Sequence, residues 1–281
     1  MRASVLLMAG CGALVVVGAV VVWRWGALEF RPPPAAHAPV EVIRGYIWHV
    51  TVAVVSGLGA GVLVAGAGGR LVMRLLAATS PDEVEGRITE AQEVVGEITA
   101  GGTIGFMVFT ALFFGLATGA LYLLLRRWLP AGRLGGLTYG LLLLVVAGTR
   151  VEPLRAANPD FDIVGPSWVA LVAFSAVVVL HGMVVAALAA RYASALPLLA
   201  WDRRPLAGHA PLLLLLPAVL PVLVLTLVGI VVVGLSQLEP VRRAVGTRAA
   251  TLVGRAVVAA VALVALPGFV DAVVDIAGRG P

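Results

Sequence analysis

The feature that most constrains how this chain can fold is a succession of long apolar segments, which short polar segments separate. A helix needs about 20 mostly apolar residues to cross the hydrocarbon core of a bilayer. Candidate segments lie at about residues 4–23, 46–69, 101–125, 134–149, 168–190, 212–235 and 249–276. We therefore predict an all-α fold: one polytopic transmembrane bundle of about seven spans, which occupies residues 1–281 and has almost no soluble domain.

The composition supports a bilayer as the solvent of this chain. Sixty per cent of the residues are hydrophobic and only 12% are charged, whereas a soluble domain is roughly half apolar and a quarter charged. A water-soluble protein this apolar could not cover its surface with polar groups. The formal net charge of +5 is spread through short loops, so we expect Arg anchors beside the membrane and no nucleic-acid binding.

The composition also excludes several classes of protein. All 20 basic residues are Arg, so no lysine can form a Schiff base with retinal or pyridoxal phosphate or serve a phosphate-binding loop. The single cysteine, Cys11, excludes disulfides within the chain and CxxC motifs. Neither GxSxG nor HExxH occurs. We therefore predict no catalytic residues, no metal site and no cofactor, and we expect that the protein is not an enzyme.

Small residues recur every four positions in several predicted spans. They are Ala53, Gly57, Gly61, Ala65 and Gly69 in the second span, Ala111, Gly115 and Gly119 in the third, and Gly182, Ala186 and Ala190 in the fifth. In lipid there is little hydrophobic drive between helices, so close backbone approach through small residues is a main source of packing. The pattern predicts tightly packed helix pairs.

One segment outside the predicted spans has a helical pattern. Residues 80–83 combine a Ser N-cap, a Pro at the first helical position and a Glu three residues after the cap. Apolar residues then recur at helical spacing among several glutamates. We predict an amphipathic helix over about residues 81–98. It could be a connector that lies along the bundle, or a lid or docking element with an acidic face.

Two arginines at the end of the second span, Arg70 and Arg74, lie one turn apart. They are expected to anchor the span at the interface. They could also pair with Glu90, Glu93 or Glu97 and hold the amphipathic helix down, although exposed pairs of this kind typically contribute under about 1 kcal/mol.

Four residues are candidates for an intramembrane polar site: His181 in the fifth span, and Arg255, Asp271 and Asp275 in or beside the seventh. The uncharged stretch 256–270 covers about 22 Å of helix, whereas the hydrocarbon core is about 30 Å thick. We hypothesise that Arg255 faces the bundle interior and is paired there; the alternative is an anchor that snorkels to the interface. A lone histidine such as His181 either bonds to a neighbouring helix or belongs to a ligand site.

The distribution of arginines gives a weak preference for orientation. Arg126, Arg127 and Arg133 crowd one short loop that contains no acid. Positive charge is enriched in cytoplasmic loops. This favours a cytoplasmic 126–133 loop, a cytoplasmic C-terminus and an external acidic segment.

Several short stretches carry a family resemblance. They are Gly69-Arg70-Leu71-Val72-Met73-Arg74, Gly101-Gly102-Thr103, Arg127-Trp128-Leu129-Pro130, Asn158-Pro159-Asp160-Phe161 and Leu266-Pro267-Gly268-Phe269-Val270. In these stretches the chain resembles a broad group of polytopic membrane proteins from high-GC bacteria. The group has no assigned activity, so the resemblance implies a membrane location but no function.

Two classes of function are compatible with these patterns. A transport or channel-like protein for a small solute or ion is favoured by His181, by the charges around the seventh span, and by Pro217 and Pro221, which should bend the sixth. The alternative is a non-catalytic scaffold or sensor that docks a partner through the 81–98 helix. We expect the chain in a bacterial cytoplasmic membrane as a multi-pass protein whose surroundings are the lipid bilayer; a membrane-protein partner or a homo-oligomer is compatible with the pattern.

Overall fold

A computed structural model describes residues 2–26, 28–33, 38–90, 93–215 and 247–279, together with Val224, Leu227, Gly229 and Val231. Within these ranges the chain is helical and contains no strand beyond one isolated bridge. The α-helices are α1 (Arg2–Trp23), α2 (Pro39–Ala60), α3 (Ala67–Thr79), α4 (Ala100–Thr110), α5 (Leu116–Leu125), α6 (Gly132–Val146), α7 (Ser167–Ala195), α8 (Arg203–His209) and α9 (Arg248–Gly278). The predicted all-α bundle is confirmed.

Two pairs of helices are continuous, because π-helical segments join them. Gly61–Gly66 joins α2 to α3, and Ala111–Gly115 joins α4 to α5. These joined helices, with α1, α7 and α9, are the five described helices long and apolar enough to cross a membrane, and α6 is a shorter apolar helix. The chain is a multi-pass membrane protein. The predicted sixth span is described in only a few residues: residues 210–215 form a 3₁₀ segment, and Pro217 and Pro221 lie outside the described ranges.

The α2–α3 helix is much longer than the predicted second span. It runs over Val40–Thr79 for 40 residues, which is about 60 Å at 1.5 Å per residue, twice the roughly 30 Å of the hydrocarbon core. The prediction of a span over 46–69 covers only its middle part. Arg70 and Arg74 consequently lie inside a continuous helix and not at its end.

The small-residue stripes are where the helices meet, as predicted. A Cβ atom added at Gly57 would overlap the backbone carbonyl of Gly115, and one at Gly61 would lie 2.6 Å from the Cα of Ala111. The α2 backbone therefore touches the α4–α5 backbone directly. The same holds between α6 and α7, where a Cβ at Gly182 would lie 2.6 Å from the backbone nitrogen of Gly140.

The segment that follows α3 is not a helix, so the predicted amphipathic helix over residues 81–98 was wrong. Among its described residues, 80–90 and 93–98, only Asp82–Val84 form a 3₁₀ turn. The chain then folds back on itself in a narrow loop, in which Ile88 forms an antiparallel bridge with Val94. We refer to residues 80–98 as the acidic segment.

The backbone conformation of the acidic segment explains why this segment does not form the predicted helix although its apolar residues have helical spacing. Gly86 and Gly96 adopt φ values of 87° and 93°, in the left-handed region that ends helices and forms turns. The Gly86 N–H donates to the Val95 carbonyl at 3.1 Å. Val84 and Val95 are nevertheless buried. A folded loop can place apolar side chains on one side without helical periodicity.

The ends of the described helices divide between two faces of the bundle. On one face Trp48, in the first half of α2, donates to the carbonyl of Leu196 just after α7 at 2.9 Å, and Gly254, near the start of α9, packs on Trp128 just after α5. We call it the basic face, because the arginines beside these helix ends include Arg24, Arg126, Arg127, Arg133, Arg203 and Arg204. The opposite, acidic face carries the acidic segment and the α6–α7 loop.

The C-terminal end of α9 lies on the acidic face. The Arg279 guanidinium lies 3.7 Å from the Asp162 carboxylate, and the Ser167 hydroxyl donates to the Arg279 carbonyl. The prediction that the C-terminus shares a side with the 126–133 loop was therefore wrong. It assumed strict alternation of seven spans, whereas α7 ends and α9 begins on the same face.

We expect the basic face to be cytoplasmic, because short arginine-rich loops are retained there. Alkaline phosphatase, which is active only outside the cytoplasm, should be inactive when inserted after Gly132 and active when inserted after Gly86 or fused after α9. Both glycines have open space around them. Phosphatase activity after Gly132 would contradict this orientation.

Candidate ligand-binding cavity

A cavity of about 870 Å³ lies between α3–α5 on one side and α6–α7 on the other. Small-molecule sites typically enclose roughly 300–1,000 Å³, so the space suits one small ligand. Its wall is largely apolar and includes Phe106, Phe109, Phe114, Leu143, Phe174 and Val177.

The cavity lies where α4–α5 and α6 are separated. The α4–α5 helix packs chiefly on α2 and the π-helical segments, whereas α6 packs on α7 and α9, and α7 packs on both α6 and α2. Helices α5 and α6 approach at Tyr122 and Tyr139, whose rings meet edge to face at 5.2 Å, and the Tyr139 hydroxyl donates to the Thr118 carbonyl. Residues of α4–α5, α6 and α7 line the cavity.

His181 lies at the inner end of the cavity and is 4% exposed. Its Nε2 lies 2.8 Å from the Thr118 hydroxyl. Its Nδ1 is buried and makes no hydrogen bond with the described residues, although the Ala60 carbonyl lies near the imidazole. Buried polar atoms are nearly always satisfied, so this nitrogen marks a place where the cavity can offer a polar contact.

Arg70 lies in the wall of the cavity nearer the acidic face and is 8% exposed. Its guanidinium makes only long contacts: 3.4 Å to the Thr103 hydroxyl and 3.9 Å to the Met73 sulfur. Its Nε is buried without a partner. The side chain therefore presents a positive charge to the cavity with little hydrogen bonding from the described protein.

The mouth of the cavity is covered by the acidic segment and the α6–α7 loop. The Arg155 guanidinium pairs with Glu90 and lies 3.2 Å from Glu152, and the Glu90 N–H donates to the Asp160 carboxylate at 2.8 Å. Burial raises the pKa of Glu152 and of Asp160 above their ordinary values. These bonds join the two loops into one polar cover.

The structure brings six of the nine predicted polar residues to this cavity. They are His181, Arg70, Arg74, Glu90, Glu93 and Glu97. The predicted ion pairs between the arginines and the glutamates are absent among the described residues, because Arg70 is about 13 Å of helix below the end of α3 and Glu90 pairs with Arg155 instead. The residues that sequence reasoning missed are Thr118, Glu152 and Arg155, none of which stands in a recognisable motif.

The other three predicted site residues lie elsewhere. Arg255, Asp271 and Asp275 are exposed on α9 and do not border the cavity. Asp275 bonds to Arg279 at 2.7 Å. The hypothesis that Arg255 faces the bundle interior was wrong: its neighbour Gly254 takes the inward position, and successive residues on a helix point about 100° apart.

We expect the Arg255→Leu variant to melt like the parent protein, because exposed substitutions usually change stability by less than about 0.5 kcal/mol. The Arg126→Leu variant should melt lower. The Arg126 guanidinium stacks 3.8 Å above the centre of the Phe30 ring, a contact worth about 0.5–2 kcal/mol. Thermal unfolding in detergent compares the two; a larger loss for Arg255→Leu would restore the interior hypothesis.

No group of three metal-ligating side chains occurs in the part of the chain that the structure describes. Comparisons of the chain with protein-family models, with curated proteins and with solved structures found no match.

Proposed function

We propose that this chain is a transport protein of a bacterial cytoplasmic membrane, which carries a small amphipathic solute across the bilayer by way of the cavity. One observation supports the proposal above others: a mainly apolar cavity between helices borders two buried side chains, Arg70 and His181, that keep unpartnered nitrogens. Ionisable residues inside a membrane are expensive and usually serve a pathway or a ligand. We also propose that the chain belongs to the group of membrane proteins from high-GC bacteria that its short stretches resemble.

The π-helical segments give this proposal a second support. The segment Gly61–Gly66 contacts Ala111–Gly115, and the Ala60 carbonyl just before the first segment faces His181. Such irregular turns often occur at functional sites. They relax the hydrogen-bond ladder of both long helices at the inner end of the cavity.

A hydrolytic enzyme is the weaker reading of the same geometry. The Thr118 hydroxyl and His181 Nε2 are 2.8 Å apart, as in a nucleophile–base pair. However, none of the described carboxylates orients His181 through Nδ1, as the third member of a triad would. We therefore assign the pair a role in solute contact.

The alternative function is a scaffold or sensor that docks a partner through an 81–98 helix. The described residues of this segment do not form that helix, so the alternative has no docking element. The acidic segment is a folded loop, and it bonds to the α6–α7 loop through Glu90. We propose the lipid bilayer as the principal partner, with no nucleic acid.

The test is transbilayer movement in vesicles. Short-chain amphipaths with a nitrobenzoxadiazole fluorophore and a neutral, anionic or cationic head are incorporated into vesicles with and without the protein. Dithionite bleaches probe in the outer leaflet at once, and inner-leaflet probe only after it crosses. We expect the protein to accelerate crossing for at least one head group; equal rates for every probe with and without protein would reject transport.

A further inference from the structure

We propose that Arg70 binds the anionic head of the solute, a carboxylate or phosphate, while the apolar body of the solute occupies the cavity between α4–α5 and α7. This inference rests on the proposed function of the cavity and names its ligand class. Three observations support it: Arg70 is buried, its guanidinium has few hydrogen-bond partners among the described residues, and the cavity wall beside it is apolar.

The Arg70 guanidinium carries a buried charge with few hydrogen bonds. A guanidinium has five N–H donors. Among the described residues, those of Arg70 contact only the Thr103 hydroxyl at 3.4 Å and the Met73 sulfur at 3.9 Å, and Nε has no hydrogen-bond partner. Removing a charge from water is costly unless it is paired and hydrogen-bonded. An arginine 8% exposed inside a membrane helix therefore lacks the partner that such a charge needs.

The described acids that line the cavity do not pair with Arg70. Glu90 pairs with Arg155, and the Glu93 carboxylate lies beside Gly102 in the first turn of α4, where a helix N-terminus favours negative charge. Among the described residues, none of the ion pairs includes Arg70. A ligand anion is the missing partner, and a carboxylate or phosphate accepts two parallel bonds from guanidinium.

An apolar wall next to Arg70 provides a surface for the rest of the ligand. The Phe106 ring packs against Gly69, directly before Arg70, where an added Cβ would lie 3.0 Å from the ring. From there Phe109, Phe114 and Phe174 continue the apolar wall. An anionic head at Arg70 would thus be followed by a tail among aromatic rings.

The surroundings of the cavity indicate where the ligand comes from. The carboxylates of Glu93, Glu97, Glu152 and Asp160 line the cavity and outnumber the guanidinium of Arg74, so they repel an anion that arrives from solution. The opposing wall includes Phe109, which is 51% exposed on the outer surface of α4. The observations therefore favour an amphipath drawn from the bilayer over a free anion.

The experiment is native mass spectrometry of the protein with dodecyl phosphate, dodecanoate, dodecanol, dodecyltrimethylammonium or inorganic phosphate. We expect the two anionic amphipaths to bind roughly tenfold to a hundredfold more tightly than dodecanol, as charge-assisted bonds would give. Arg70→Gln should remove this preference, and Arg70→Lys should keep part of it. The control Arg87→Gln changes an exposed arginine of the acidic segment that does not border the cavity, and should bind like the parent.

The outcomes separate the two proposals. Equal binding of all dodecyl compounds, or a preference for the ammonium, would overturn the anionic ligand while leaving transport open. Inorganic phosphate that competes as well as dodecyl phosphate would overturn the amphipathic ligand. If Arg70→Gln does not fold, Arg70→Lys provides the test. Lysine cannot reproduce the bidentate geometry, so an Arg70→Lys variant with the affinity and the anion preference of the parent would overturn the role of Arg70. Anion binding without accelerated crossing of any probe would reject transport alone.

Discussion

Replacing Gly57 with alanine should cause one of the largest losses of stability available to a single methyl group in this protein. The new Cβ would overlap the carbonyl of Gly115 and could be accommodated only if the α2 and α4–α5 backbones moved apart. Overpacking usually costs about 1–3 kcal/mol and sometimes more, and we expect the upper end because the obstacle is backbone. Thermal unfolding in detergent, followed by tryptophan fluorescence, measures the effect.

The matched control is Gly45→Ala in the same helix. A Cβ at Gly45 meets no atom within 4 Å, and alanine is the better helix former by about 1 kcal/mol. We expect this variant to melt at or above the temperature of the parent. Equal melting of Gly57→Ala and Gly45→Ala would mean that the helices do not touch through the glycine stripe.

The second large effect is expected on transport, from Ala117→Trp. Ala117 lies on α5 in the wall of the cavity and is exposed, so an indole there can fill the space without disturbing a packed core. Crossing of the amphipathic probes should fall to the rate of protein-free vesicles, while the melting temperature stays close to that of the parent.

Leu124→Trp provides the comparison, because Leu124 is 52% exposed on the same helix and does not border the cavity. It should transport like the parent. If Ala117→Trp also transports normally, the solute does not pass by way of this cavity.

The architecture could be read from the sequence because each helix is specified by its own residues. Apolar length marks the membrane helices, and stripes such as Gly57 and Gly61 mark where backbones meet. Helix length was harder to read. The α2–α3 helix extends to Thr79 through arginines that a hydropathy criterion treats as an interface.

The acidic segment and the orientation of α9 show the limit of local patterns. The spacing of Val84 and Val95 fits a helix, but Gly86 and Gly96 occupy left-handed positions that a continuous helix between them cannot contain. Arg255 and its neighbours could not be assigned to a face, because the side of α9 that meets the bundle is set by tertiary packing.

The candidate site was predictable only in part. His181 stands out as an ionisable group among apolar residues, whereas Arg70 was expected to be an anchor at the interface because a hydropathy criterion ends the second span there. That they border one cavity depends on the separation of α4–α5 from α6, which no local pattern encodes. Arg155 pairs with Glu90 across 65 positions, so this bond too is a property of the fold.

The most direct test of the central claim is an experimental structure of the protein in lipid nanodiscs. We expect an open space between α4–α5 and α6–α7, with density from a bound amphipath beside the Arg70 guanidinium and extending towards His181. A structure in which Phe114 and Leu143 close against His181, with Arg70 paired to a protein carboxylate and no space between the helices, would contradict it.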